Sequence, residues 1–564
     1  MQTAGGVVNA ARRFFGMKCI TWSRPRSPPV NNLLTGAPVR WTPAVSKHLK
    51  NIGVVSLLTL VSRVLGLFRD ALTARVIGAD LDASAFFTAF RLPNLFRRLL
   101  AEGSLTAAFV PTLQEELRDR GRPGAFDLLS NVTSWLLLVS GTVVGVAMLL
   151  FQGDWLLPTA DAGKWRLAAD LAVILFPYLV LVSLAAAFSA ALQVLERFTE
   201  PALSPIWLNL AMIAALGAAG LGFADTTLGR IHWLCAGALA GGFFQMAIPA
   251  AVLVREGWRP QFDLRASPRV RLIAALMLPG IFGTAIYQIN QYVTQVLAYH
   301  VSNSAAAVMN YATRLMELPI GVFSIAIATV VYPLLARHAA EGKHEDMATD
   351  YRKGLGLILL INVPAAAGLI VLGEPIIRLL FEGGSFTPEH TRMTVPLLQI
   401  FALGMPFFSV VSLTTRAFYA TRDTVTPVKV ALVNFVLNAG LCFALMGTFG
   451  APGLATASTV AVVVQTVVLQ RMLSRHQPGL TFGPLWASLV KVLGAALVMC
   501  AVTGGGWLLL RNAFSTTRIA DLVAVFGLIP LAVVTFFGAA WVLRIEGREE
   551  LAALAGKLIG RRNR

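Results

Sequence analysis

N-I-G-V-V-S-L-L-T-L-V-S-R-V-L-G-L-F-R-D-A-L-T-A-R-V-I-G, residues 51–78, is apolar and long enough to cross a bilayer, yet it holds Arg63, Arg69 and Asp70. Arg63 stands 13 residues from Lys50 and 15 from Gly78. About 20 Å of helix therefore separates it from either end, too far for easy snorkelling. An arginine at a helix centre costs about 2.5–3.5 kcal/mol on insertion scales, so the default reading is a functional group facing a polar cavity. Arg97 and Arg98 repeat the feature in the next apolar segment, and Arg314 repeats it later. Several cations kept inside a membrane protein point to an anionic ligand.

Composition agrees. The 564 residues are 56% hydrophobic and 13% charged, with mean hydropathy +0.68; soluble domains carry about 25% charged residues. The net charge of +18 does not imply nucleic-acid binding, because the basic residues lie mainly in short loops between apolar segments. Cys19, Cys235, Cys442 and Cys500 are scattered and give neither metal spacing nor a disulfide framework. No Walker A, kinase or G-x-S-x-G pattern supports ATP-driven or hydrolytic chemistry, and no loop is long enough for the catalytic domain of a glycosyltransferase. The expectation is a transporter, not an enzyme.

The expected fold is all-α and polytopic, with about 14 transmembrane helices. They lie near 51–77, 83–113, 126–151, 167–194, 202–222, 231–254, 270–299, 304–335, 350–372, 392–419, 427–446, 452–473, 485–510 and 519–543. Arg118, Arg120 and Arg122, the group from Arg255 to Arg271, Arg337 to Lys353, and Arg471 with Arg475 mark one set of loops. The alternate loops 78–84, 153–161 and 223–227 are nearly free of cations, so both termini are expected on the cytoplasmic side.

A weak internal repeat organises the helices. A-F-R-L (89–92) recurs as A-T-R-L (312–315), F-V-P-T-L (109–113) as V-Y-P-L-L (331–335), and Asn209 as Asn434, all offset by 222–225. The offset divides the chain into six-helix lobes 50–255 and 270–475, joined by a basic cytoplasmic linker 256–269. Helices at 485–543 come after them, outside the repeat and so expected to be dispensable for folding of the lobes. Residues 544–564 form a basic cytoplasmic tail. Residues 1–49, rich in Lys/Arg and without an acid, read as a disordered basic arm, or as sequence upstream of a true start near Val45.

Within S-R-V-L-G-L-F-R-D (62–70), Arg63 and Arg69 share a face only if Gly66 bends the helix, and Asp70 can pair with a neighbouring arginine. In R-L-P-N-L-F-R-R-L-L-A-E-G-S (91–104), Pro93 and Gly103 can break the helix, leaving Arg97 to face a ligand and Glu102 as counter-charge or proton carrier. Arg314 and Glu317, three apart, can pair on one helical face. For each cluster a purely structural ion pair is the competing reading. Asn434 and Asn438 share a helical face and offer oxygens to Na⁺, or else bond between helices.

The motifs S-R-V-L-G-L-F-R-D, P-N-L-F-R-R-L-L-A-E-G-S, Y-A-T-R-L-M-E-L-P-I-G-V and T-P-V-K-V (426–430) resemble the MurJ (MviN) family of lipid II flippases in the multidrug/oligosaccharidyl-lipid/polysaccharide exporter superfamily. The resemblance implies two lobes around a central cationic cavity in the bacterial inner membrane. It implies a groove for the lipid tail beside the last two helices. By motif, Ser62, Arg63, Arg69, Asp70, Asn94, Arg97, Glu102, Arg314 and Glu317 correspond to cavity residues. Lipid II, membrane lipids and other cell-wall synthesis proteins become the expected partners. No cofactor is implied beyond Na⁺ or H⁺ coupling and an anion bound in the cavity. Two departures stand out: Ser84 replaces an acid before A-F-F, and Thr294, among Asn290 and Gln291, replaces an aspartate that serves a sodium site in some members. The alternative is an exporter of another lipid-linked glycan or a drug; a cationic-drug exporter would want acids where this chain has arginines.

Overall fold

The computed structural model describes residues 43–100, 103–153, 161–514 and 518–546. Expectations for the arm over 1–42, for Glu102 and for the tail beyond 546 lie outside these residues. Two compact units divide the chain, Met1–Ile52 and Gly53–Arg564, and the cavity, groove and core belong to the second. The described residues are helical almost throughout. Helix α1 runs Pro43–Ile77, α2 Leu81–Leu100, α3 Ser104–Gln152, α4 Ala162–Leu175, α5 Tyr178–Val194, α6 Thr199–Ala218, α7 Thr227–Arg255 and α8 Pro268–Val301. Then come α9 Ala305–Pro319, α10 Ile325–Glu341, α11 His344–Leu380, α12 Pro388–Ala420, α13 Val425–His476, α14 Trp486–Phe514, α15 Arg518–Val523 and α16 Ile529–Val542. Helix α1 begins at Pro43, inside the stretch expected to be the arm.

Among the described residues, ten helical runs are long and apolar enough to cross a membrane, or eleven if the bent pair Pro268–Leu278 and Gly283–Val301 counts as one span. Fourteen segments were expected, and the difference lies in how runs are divided. Leu81–Gln152 and Val425–His476 each contain two expected segments, joined at Gly121 (φ 69°) and Gly450 (φ 60°). A left-handed glycine reverses the chain there while helical bonding continues on both sides. Helix α1, with three ionised side chains in eight residues, is the other segment outside that count.

Helix starts obey the local chemistry. Ser267 accepts from the Val270 N–H with Pro268 at the first turn, and Thr387 and His390 form a reciprocal capping box ahead of α12. The break expected near Gly103 separates α2 from α3, with Gly103 at φ 73°. In contrast, α1 stays helical through Gly66. A five-residue π-turn, Ile320–Ser324, lies between α9 and α10. The linker is strapped down: Asn131 Nδ2 donates to the carbonyls of Asp263 and Arg265 at 2.8 Å each, and Arg269 meets Glu115 and Glu116.

At the opposite end, α1 is clasped to the turn before α12. The Ser385 N–H donates to the Arg75 carbonyl (2.8 Å), His390 meets Asp80 (3.0 Å), and the Tyr311 hydroxyl donates to the Gly78 carbonyl (3.0 Å). The last helices are not appended to a finished core. Val492, Met499 and Phe536 share one buried cluster with Leu355, Val410 and Leu413 of α11 and α12. Their removal would uncover apolar side chains of α11 and α12, a contact that the sequence did not reveal.

Candidate functional site

A cavity of about 240 Å³ opens among α1, α2, α6, α8 and α9. Its charged and polar lining includes Arg69, Asp70, Asn94, Arg97, Arg314 and Glu317, all singled out in the sequence, together with Arg91, Arg98 and Gln291. Asp70 is the hub. Its Oδ1 accepts from Arg69 Nε (3.0 Å) and Nη2 (2.6 Å), and its Oδ2 faces Arg314 Nε at 3.6 Å. One carboxylate thus draws together an arginine of α1 and an arginine of α9. Arg314 Nη1 also donates to Glu317 Oε2 at 3.2 Å, the i, i+3 pair of the sequence.

The second α1 partner comes from α6. Asn209 Oδ1 accepts from Arg69 Nη1 (3.0 Å), while its Nδ2 donates to the Ser62 carbonyl (3.0 Å). Ser62, expected in the cavity, is not among its lining residues and meets Asn209 through its backbone. On α2, Arg97 Nε donates to Asn94 Oδ1 (3.1 Å), one turn earlier. Across the cavity Arg91 donates to Gln291 (3.0 Å) and Gln295 (2.9 Å) of α8, and Arg98 Nη1 reaches Gln288 at 3.5 Å. Among the described residues, five arginines against two carboxylates leave three positive charges on the lining.

Arg63 is not part of that lining. Six residues along an unbroken helix turn it about 240° from Arg69. It lies on the π-turn, where a Cβ added at Gly321 would overlap its guanidinium, with Cζ 2.8 Å and Nη2 3.0 Å away. Asn434 and Asn438 are elsewhere too. Asn438, buried, donates to Asn290 Oδ1 (2.8 Å) and Thr294 Oγ1 (3.0 Å), which ties α13 to α8; Asn434 Oδ1 is buried without a hydrogen-bond partner. The amide of Asn438 is thus committed to interhelical bonding, leaving only oxygens for a cation.

Arg91, Gln291, Gln295 and Asn209 are the wall residues that sequence reasoning passed over. The repeat held the signal for two of them, since it aligns Arg91 with Arg314 and Asn209 with Asn434. A second, apolar groove of about 850 Å³ runs between α11, α12, α13 and α14, lined by residues such as Leu359, Phe407, Trp486, Leu493 and Ala496.

A family model described as lipid II flippase MurJ matches residues 73–525, which include the cavity helices α2 to α9. The chain belongs to the MurJ lipid II flippase family. It is 34% identical over 507 residues to a probable lipid II flippase MurJ of Rhizobium meliloti, covering 87% of this chain and 93% of that one. The lipid II flippase MurJ of Burkholderia cenocepacia is 29% identical over 513 residues, covering 87% and 96%. Among solved structures, a lipid II flippase MurJ in an inward closed conformation superposes with TM-score 0.71 at 22% identity, over 88% of this chain and 99% of that one. An inward-facing multidrug resistance MATE transporter of the MOP superfamily superposes at 0.60 and 16% identity, over 75% and 98%. These likenesses establish the fold: MurJ and MATE proteins share this helical architecture, and this chain is a multi-pass membrane transporter.

Proposed function

We propose that this chain flips lipid II, the undecaprenyl-diphosphate-linked peptidoglycan precursor, from the cytoplasmic to the periplasmic face of the inner membrane by alternating access. The observation that carries the reading is the excess of three positive charges on the cavity lining, set in a MurJ family chain. A diphosphate is the natural counter-charge. Arginine forks meet phosphate oxygens bidentately, and a site walled from bulk water strengthens each contact. Asp70 draws Arg69 and Arg314 together without fully neutralising them. Arg97 and Glu317, with Glu102 beyond the described residues, complete the headgroup site. The apolar groove beside α14 suits the isoprenoid tail, each buried CH₂ being worth about 0.8 kcal/mol.

In this reading two six-helix lobes, 50–255 and 270–475, rock about the cavity, and both termini face the cytoplasm. Substrate binding favours one orientation only by its differential affinity for the two. Coupling to Na⁺ or H⁺ and contacts with other cell-wall synthesis proteins belong to the same proposal. The test is conditional depletion, with lipid II measured on each side of the membrane. Accumulation on the cytoplasmic side is expected. Outward appearance of lipid II at the normal rate, with no second flippase present, would sink the reading.

A further inference from the structure

Arg63 lies against the π-turn Ile320–Ser324 and outside the cavity lining, and a buried ring of side-chain hydrogen bonds fixes that turn. Asn362 Nδ2 of α11 donates to Ser324 Oγ (2.9 Å), Ser324 Oγ donates to Ser409 Oγ of α12 (2.9 Å), and Ser409 Oγ donates to Asn362 Oδ1 (3.2 Å). Ser324 Oγ also lies 3.1 Å from Asn362 Oδ1, and Ser409 Oγ 3.1 Å from the Met405 carbonyl, so the three side chains form one buried cluster of hydrogen bonds. The second Asn362 amide proton goes to the Ile358 carbonyl at 2.9 Å. All three residues are buried, in a lobe where an unmade hydrogen bond has no water to turn to.

Ser324 is the last residue of the π-turn, and Gly321 lies three residues before it. A π-turn inserts a residue into the helical register and rotates the helix on its N-terminal side against the helix on its C-terminal side. The ring pins the C-terminal side to α11 and α12. The N-terminal side is thereby held with the bare Cα of Gly321 toward α1, under the Arg63 guanidinium. Any side chain at 321 begins with an atom that would overlap Arg63, so the guanidinium would have to leave this seat.

We infer that Asn362 is a positioning residue for Arg63, acting through Ser324 and the π-turn to keep Gly321 as the seat of that guanidinium. The ring touches no cavity residue, and its effect on transport passes through the seam between α1 and the π-turn. This rests on the transport reading above and adds to it a role for Arg63, which the sequence placed among the transport residues. Its structural half stands on the contacts alone.

The test uses the full chain in lipid nanodiscs, with spin labels at exposed Val64 and Phe323 to report the width of the seam. Asn362→Leu should broaden the distance distribution and lower lipid II transport about tenfold, the scale of loss from a slightly misplaced group. Gly321→Ala keeps every buried hydrogen bond, guards against misfolding, and should do the same. Combined with Arg63→Lys, Asn362→Leu should add little further loss, because both act on one seat. An unchanged distribution in both Asn362→Leu and Gly321→Ala would overturn the inference, as would fully additive losses with Arg63→Lys. If Arg63→Ala transports normally while Asn362→Leu still widens the seam, the seat stands and the transport role of Arg63 falls.

Discussion

The cavity and the groove are opposite solutions to burying a pocket in one membrane protein. The cavity is the smaller, about 240 Å³ against 850 Å³, yet it holds five arginines and two carboxylates, whereas the groove is lined almost wholly by aliphatic and aromatic side chains. Charge in the cavity is kept by crowding: every arginine there leans on a carboxylate, an amide or a neighbouring turn. Nothing comparable stabilises the groove, which needs only an apolar occupant. A substrate with a charged head and a long hydrocarbon tail uses both at once. The two pockets should therefore respond separately to mutation.

The sharpest break should come from Asp70→Asn. Removing the charge leaves Arg69 and Arg314 without their shared counter-ion, and because the Arg314 side chain is 42% exposed the loss should fall below the ~3–5 kcal/mol of a fully buried pair. Transport should vanish and the melting temperature in detergent should fall; normal growth on this variant alone would show that the hub is dispensable. Next, Arg314→Lys should lower transport about a hundredfold with little change in melting, because a point charge cannot reproduce the fork that reaches both Asp70 and Glu317. A smaller effect is expected from Arg91→Gln, about tenfold weaker lipid II binding by titration, since the partners Gln291 and Gln295 keep their places. Equal binding would remove Arg91 from the headgroup site. The mildest is Ala496→Trp in the groove. It should weaken binding of full-length lipid II a few-fold and leave a short-chain analogue unaffected, as loss of a few buried CH₂ groups requires. Equal weakening of both ligands would detach the groove from the tail.

Much of this was legible in the chain. Apolar length and charge placement specify the helices, because a bilayer admits few other ways to satisfy a backbone. Arg69, Asp70, Arg97 and Arg314 announce themselves by the cost of putting them where they are. Arg91 was readable only through the repeat. The repeat marked Asn209 too but not its partner, and Gln291 and Gln295 were not readable, since an amide in an apolar helix looks the same whether it bonds a neighbouring helix or a cavity arginine. Arg63 was misplaced for a definite reason. Its partner is a missing side chain, Gly321, and the face it occupies depends on α1 staying helical through Gly66. The number of helical runs differed because helical bonding continues on both sides of the positive-φ glycines at 121 and 450, and because α1 carries too many charges to be counted.

The uncompensated charge on the cavity wall has an electrical consequence. A single charge carried across the whole membrane field is worth about 2.3 kcal/mol per 100 mV. An empty cavity carries three excess positives, and a diphosphate headgroup cancels most of them. Loaded and unloaded carriers therefore do different work against the same voltage as their charged walls shift through the field. The return of the empty carrier should be the step that senses polarity most strongly. Voltage-clamped vesicles, with exchange compared against net flux, would reveal that asymmetry as a rate that depends on the sign of the potential.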